Sequence, residues 1–341
     1  MQRRGVVAVS GASAGVGRAV ARQFADRAEA VALLSRGEGG LAAAAREVEE
    51  AGARALTVPV DVADAGAVER AVERVETELG PVDVWVNAAF ASVLGPFMDI
   101  EPEEFTRVTD VCYHGYVHCT RSVLRRMLAR DRGTVVQVGS ALAFRGIPLQ
   151  AAYCGAKHAL RGFNDSLRVE LAHSKANVHL TEVHLPAVNT PQFTWARSRT
   201  GTGLRPVPPV YQPEVAARAI VFAAGRPRRR EYWVGVSTVA TILGQRTAPG
   251  LLDRYLASTG FGAQKRENVP PPREDNLFQP LDTDQDYGTR GDFDEESRSW
   301  SVQCWLNERR RELCLGAAAA AVTAALAVPV RNRFRARRGV R

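Results

Sequence analysis

Three residues between positions 140 and 157 carry side chains able to pass a proton to or from an alcohol oxygen. Ser140 ends the apolar, β-branched run Thr-Val-Val-Gln-Val-Gly-Ser, and after a turn at Gly146-Ile147-Pro148 come Tyr153 and Lys157. Residues four apart on a helix share a face, so the phenol and the ammonium project to the same side. A tyrosine hydroxyl ordinarily ionises near pH 10 and accepts a proton poorly at neutrality unless a positive charge stabilises the phenolate. Lys157 can supply that charge, and each tenfold gain in phenolate requires ~1.4 kcal/mol of preferential stabilisation. Ser140, at a strand end, can hold a substrate oxygen beside the tyrosine. Tyrosine and lysine at this spacing also occur on ordinary solvated helix faces, so the flanking elements must decide.

Those elements read as alternating strands and helices. Residues 6–9 form a short β-branched run, followed by Gly11-Ala-Ser-Ala-Gly15-Val-Gly17 and a helix-period stretch over 18–27. Strand, glycine turn and helix in this order make a phosphate cradle: glycines let the backbone approach a pyrophosphate, and the helix start presents free N–H groups. The spacing G-x-x-x-G-x-G departs from the commoner G-x-G-x-x-G. A second strand, 30–35, leads into Arg36. In dinucleotide folds an acid near this place binds the ribose 2′-hydroxyl and an arginine accommodates a 2′-phosphate, so Arg36 favours NADP(H) over NAD(H). Further strands are predicted at 55–60, 82–86, 178–185 and 232–236. Helices are predicted at 41–51, at 67–79 with Asp64 as N-cap, at 103–130, 160–171 and 213–224.

Taken together, Gly11, Gly15, Gly17, Ser140, Tyr153 and Lys157 resemble the short-chain dehydrogenase/reductase family, over residues 4–236. The resemblance implies a doubly wound, Rossmann-type α/β domain with a mostly parallel seven-stranded sheet. It implies an oxidoreductase interconverting an alcohol and a carbonyl by hydride transfer with NADP(H). Tyr153 would be the acid/base, Lys157 would stabilise the tyrosinate and bind the coenzyme ribose, and Ser140 would orient the carbonyl. Coenzyme contacts are implied at Gly11, Ser13, Gly15, Gly17, Arg36, Asp61, Val62, Asn87, Tyr153, Lys157, Pro186, Val188 and Thr190. Of these, Asp61 would touch the adenine amino group, Asn87 would brace the sheet and border the ribose, and the loop from Pro186 to Thr190 would cover the nicotinamide carboxamide. Residues 192–211 correspond to an insertion that closes over substrate.

The chain also departs from the family pattern. Ala88 and Phe90 interrupt the usual N-N-A-G, Ala187 replaces a glycine, and Cys112 stands where an asparagine anchors a water in a proton relay. With Cys112 there, either the relay runs through other groups or turnover is reduced. A coenzyme-binding scaffold or redox sensor acting through the C-terminal tail is the competing reading, against which the intact Ser140, Tyr153 and Lys157 argue.

At 341 residues and 45% hydrophobic content the chain can build one large α/β domain or two. Its formal charge is +8, but residues 331–341 hold six arginines and no acid, which leaves the rest at +2. The charge therefore describes a tail and gives no support to nucleic-acid binding by the folded domain. Five cysteines without a C-x-x-C pair indicate neither a disulfide framework nor a zinc site. His114 and His118 lack the partners that would complete a ligand set, so no metal is expected. The amino terminus has no long apolar run of a secretory signal, and a cytoplasmic location is expected.

Beyond residue 236 the resemblance ends. Residues 238–259 read as helical with a break at Pro249-Gly250, and the polar, acidic stretch 264–298 as a solvated segment, either wrapping the domain or disordered. A short amphipathic helix is predicted at 300–311. Behind it, 313–330 is an alanine-dominated run of eighteen uncharged residues, followed by the basic end. That length just meets a membrane span, while alanine adds little to insertion. A tail anchor, an interfacial helix held by anionic lipid, and an alanine-rich soluble helix used in homo-oligomer contacts all stay open, with any membrane contact running through 313–341. The expected organisation is a catalytic domain at 1–236, an extension at 237–299 and a tail at 300–341, acting on a small-molecule alcohol or carbonyl.

Overall fold

A computed structural model describes residues 4–310, 312, 313, 315, 316 and 319. Seven strands form its centre: β1 (Arg4–Ser10), β2 (Ala28–Ser35), β3 (Arg54–Pro59), β4 (Val82–Asn87), β5 (Gly133–Ser140), β6 (Val178–Leu185) and β7 (Glu231–Trp233). They lie in the order β7-β6-β5-β4-β1-β2-β3, and every pairing is parallel. A parallel sheet is covered on both faces, so its strands read as unbroken apolar runs; all eight residues of β5 are buried.

The crossovers are α1 (Gly15–Ala25), α2 (Glu38–Glu50), α3 (Ala65–Leu79), α4 (Pro102–Thr109), α5 (Gly115–Ala129), α6 (Ala151–His173) and α7 (Pro213–Gly225). α1 packs on α2 and α7. Apolar residues of α3, α5 and α6, among them Val72, Val123 and Leu160, share one core with Trp85 and Val135 of the sheet. Asp64 caps α3 as its sequence predicts, its carboxylate accepting from Ala67 N at 2.9 Å. Strand order reverses between β1 and β4, which opens a crevice at the carboxyl ends of those strands.

Two predicted elements change on folding. The single helix expected over 103–130 is broken by a π-turn at Asp110–His114, a wide turn of the kind found at functional sites. The last strand stops at Trp233 because Gly235 takes φ +80°, and Val236 opens α8 (Val236–Thr247) instead. α9 (Pro249–Thr259) follows, with its proline in the first turn, where the missing N–H costs nothing.

Residues 276–294 form a strap with almost no regular structure, yet the strap is firmly tied. Leu277 is fully buried and belongs to the main core, a burial that contributes about 1.5–3 kcal/mol. The amides of Gly39 and Gly40, which α2 leaves without helical partners, donate to the carbonyls of Thr283 (2.8 Å) and Asp282 (2.9 Å). Gly15 N donates to Gly288 O at 3.0 Å, and Arg18 of α1 pairs with Asp286. Further along, Asp294 accepts from the side-chain amides of Asn189 (2.9 Å) and Gln212 (2.8 Å).

Met1–Trp300 and Ser301–Arg341 are separate compact units. The second contains α10 (Val302–Glu308), whose first turn is capped by the Ser301 hydroxyl accepting from Cys304 N at 3.3 Å. Among the described residues no helix is long and apolar enough to cross a membrane. The run at 313–330 and the arginines behind it lie almost wholly outside the described residues.

Candidate active site

A cleft of about 530 Å³ runs along the carboxyl ends of the central strands, with Gly11, Ser13, Gly15, Gly17, Arg36, Asp61 and Val62 in its lining together with Ser140, Tyr153 and Lys157. Pro186, Val188 and Thr190 line it as well. The glycine turn is shaped by close approach. Gly11 has φ +73°, and a side chain there would put Cβ 2.7 Å from the Ala89 backbone; a Cβ on Gly17 would strike the Gly11 carbonyl. A turn without side chains at the start of α1 lets a pyrophosphate approach closely, so these residues fit a dinucleotide coenzyme, although the Gly15 amide is already taken by Gly288 O.

Catalytic candidates converge at the other end. β5 delivers Ser140, whose hydroxyl caps the following turn by accepting from Leu142 N at 3.1 Å. α6 carries Tyr153 and Lys157 on one face, with the lysine Nζ 5.7 Å from the centre of the Tyr153 ring and Phe90 packed edge-on against the same ring at 5.2 Å. Burial drives the ionisation of Tyr153 well above its usual range, Cys112 adds to the rise, and a hydrogen bond with the Ser140 side chain works against it. Burial lowers Lys157 to about 8, while Cys112 and Glu182 pull the other way. A neutral phenol beside a mostly charged ammonium is therefore the resting arrangement at pH 7.

At the Arg36 end of the cleft the residues are already in company. Ser13 Oγ lies 2.9 Å from Ser35 Oγ. Arg36 donates to three strap carbonyls, those of Asn276, Leu277 (3.3 Å) and Phe278 (2.8 Å). Asp61 accepts from Arg107 at 2.6 Å. Asn87 braces the sheet, fully buried and outside the cleft lining, held by Trp85 (2.8 Å), Thr120 (3.1 Å) and Gln137 (2.9 Å). The polar side chain points into the space between sheet and α5, where bracing β4 to β5 satisfies all its hydrogen bonds.

Residues 5–200 match the family model described as short chain dehydrogenase. The chain belongs to the short-chain dehydrogenase/reductase family. It is thereby an NAD(P)-dependent oxidoreductase acting on CH–OH groups. An uncharacterized oxidoreductase of Bacillus subtilis, YxnA, is 33% identical over 277 residues, covering 80% of this chain and 77% of that protein. A 3-dehydrosphinganine reductase of Danio rerio is 33% identical over 192 residues, which span 55% of this chain and only 57% of that relative. Among solved structures, a short-chain dehydrogenase/reductase of Burkholderia phymatum in complex with NAD shares the fold, with TM-score 0.64 at 20% identity over 73% of this chain and 95% of that one.

Two features of this short-chain dehydrogenase/reductase escape sequence reasoning. Tyr116, one residue beyond Gly115, puts its hydroxyl 3.1 Å from Lys157 Nζ. It reads as one more apolar position of a helix, directly after the π-turn. The strap is the other, since the sequence offers a wrapping segment only as an alternative to disorder and names none of its contacts. Its signal is the cluster Gly37, Gly39 and Gly40, poor helix formers at a helix start, where any Cβ would collide with Asp282 or Thr283.

Proposed function

We propose that this chain interconverts an alcohol and a carbonyl with NADP(H), using Tyr153 as the acid/base. The observation that carries this reading is the convergence of Ser140, Tyr153 and Lys157 on a cleft that continues to a bare glycine turn. When bound, a nicotinamide coenzyme supplies or accepts the hydride. In the reducing direction the neutral Tyr153 phenol gives its proton to the carbonyl oxygen as the carbon takes the hydride, a contribution on the order of 10² to 10⁴ in rate. Ser140 holds that oxygen, and Lys157 stabilises the tyrosinate left behind.

Preference for NADP(H) draws support from Arg36, whose hydrogen-bonded partners are neutral carbonyls, so that no carboxylate is hydrogen-bonded to it, though Asp61 and Asp282 act on its charge from further away. Leu94, Ile147, Phe193, Trp195 and Leu252 line the cleft with the catalytic trio and support a carbonyl carried on an apolar chain. The names of relatives such as the 3-ketodihydrosphingosine reductase of Bos taurus point the same way.

Tyr153→Phe tests the assignment, with a panel of apolar ketones followed by NADPH absorbance. We expect turnover to fall by about 10²- to 10⁴-fold, while NADPH fluorescence titration shows binding within about twofold of the parent. A variant as fast as wild type would remove Tyr153 from the chemistry.

A further inference from the structure

Cys112 leaves open what holds Lys157. Its thiol is committed to the main chain, donating to Ala91 O at 3.2 Å and accepting from Ala91 N at 3.4 Å. Across from the lysine stands Tyr116, a tyrosine 1% exposed on α5. Its hydroxyl accepts from Lys157 Nζ at 3.1 Å, and its ring centre lies 4.2 Å from the same nitrogen, near enough for a cation–π attraction. A second Lys157 N–H goes to Val138 O at 2.9 Å.

We infer that Tyr116 is a positioning residue of this enzyme, whose hydroxyl and ring hold the Lys157 ammonium directly in the place it needs beside Tyr153. The inference rests on the proposed roles of Tyr153 and Lys157. Its chemical content is definite, because among the described residues the Tyr116 hydroxyl has Ala89 O (3.1 Å) and Val138 O (3.4 Å) as its acceptors. Carbonyls accept and never donate. The line from Lys157 through Tyr116 therefore ends there, so Tyr116 fixes the lysine's position and charge without feeding it protons.

Four titratable groups face this lysine: Cys112 on the π-turn, Tyr116 on α5, Tyr153 on α6 and Glu182 on β6. Tyr116→Phe keeps the ring and deletes one of the ammonium's two acceptors. An ammonium so deprived releases its proton more readily. The alkaline limb of the pH profile for carbonyl reduction should therefore move to lower pH, with kcat down about tenfold and both substrate KM and NADPH Kd within about twofold of wild type.

An unmoved limb overturns the inference, whether or not kcat falls, since a merely structural tyrosine would lower kcat without moving it. Should the phenylalanine variant fail to fold, 3-fluorotyrosine incorporated at position 116 offers a weaker acceptor of nearly the same volume and must move the limb in the same direction. Wild-type protein that turned over no carbonyl would sink the proposed function itself. Wild-type turnover with a profile indifferent to position 116 sinks only this inference.

Discussion

The two ends of the cleft are assembled in opposite ways. At the catalytic end, β5 and α6 are adjacent in the chain, and Ser140, Tyr153 and Lys157 meet within eighteen residues because one turn and one helical repeat bring them together. At the adenosine end, Arg36 meets Asn276, Leu277 and Phe278 across 240 residues or more, and Gly15 meets Gly288. Chemistry is thus set by local geometry, while the wall over the adenosine end comes from a strap held mainly by backbone carbonyls. Changes at one end should therefore leave the other end's function in place.

Arg36→Asp presses hardest on that division. Reversing the charge should lower the ratio of kcat/KM with NADPH to that with NADH by about a hundredfold, since a charged guanidinium–phosphate contact becomes a repulsion. Because Arg36 also binds the strap, the NADH arm is decisive: kcat with saturating NADH should stay within about twofold of wild type. A comparable loss with both coenzymes would mean that Arg36 serves the strap alone.

Leu277→Ala attacks the strap without touching charge. Emptying a fully buried leucine site should cost about 2–5 kcal/mol in a urea unfolding titration. Coenzyme KM should rise several-fold with kcat at saturation preserved. A fall in kcat at unchanged coenzyme KM would erase the distinction between the two ends.

The same contrast explains what the sequence made legible. Short β-branched and apolar stretches bounded by turns gave away the parallel strands, and even β6, which carries His179, Thr181, Glu182 and His184, coincides with its predicted bounds. Side chains at fixed short spacing, Gly11 to Gly17 and Tyr153 to Lys157, were equally plain. Tyr116 was not, since a π-turn of five residues reset the helix face on which it lies. The strap was legible only as one of two alternatives, a stretch wrapping the domain or a disordered one, and none of its contacts could be named. Its amino acids are those of a solvated loop, and main-chain carbonyls, which every residue possesses, leave no mark in composition.

Asp282 offers the smallest and most discriminating change. Its residue is only 6% exposed, its carboxylate lies over Gly37 and Gly40, and it lines the cleft with Ser13, Ser35 and Arg36. That carboxylate accepts no hydrogen bond from any described residue, and it acts on Arg36 only as a charge. A 2′-phosphate seated at Arg36 would feel this negative charge as a repulsion, and salt screens a buried charge poorly. Asp282→Asn keeps the shape and removes the charge. NADPH should therefore bind several-fold more tightly to the variant while NADH changes by less than about twofold, and much of the gain should persist at high ionic strength. Tighter NADPH binding would place the phosphate beside Arg36. If NADH weakened and NADPH did not improve, Asp282 would instead be accepting a hydrogen bond from an unesterified ribose, and the coenzyme preference proposed from Arg36 would have to be reversed.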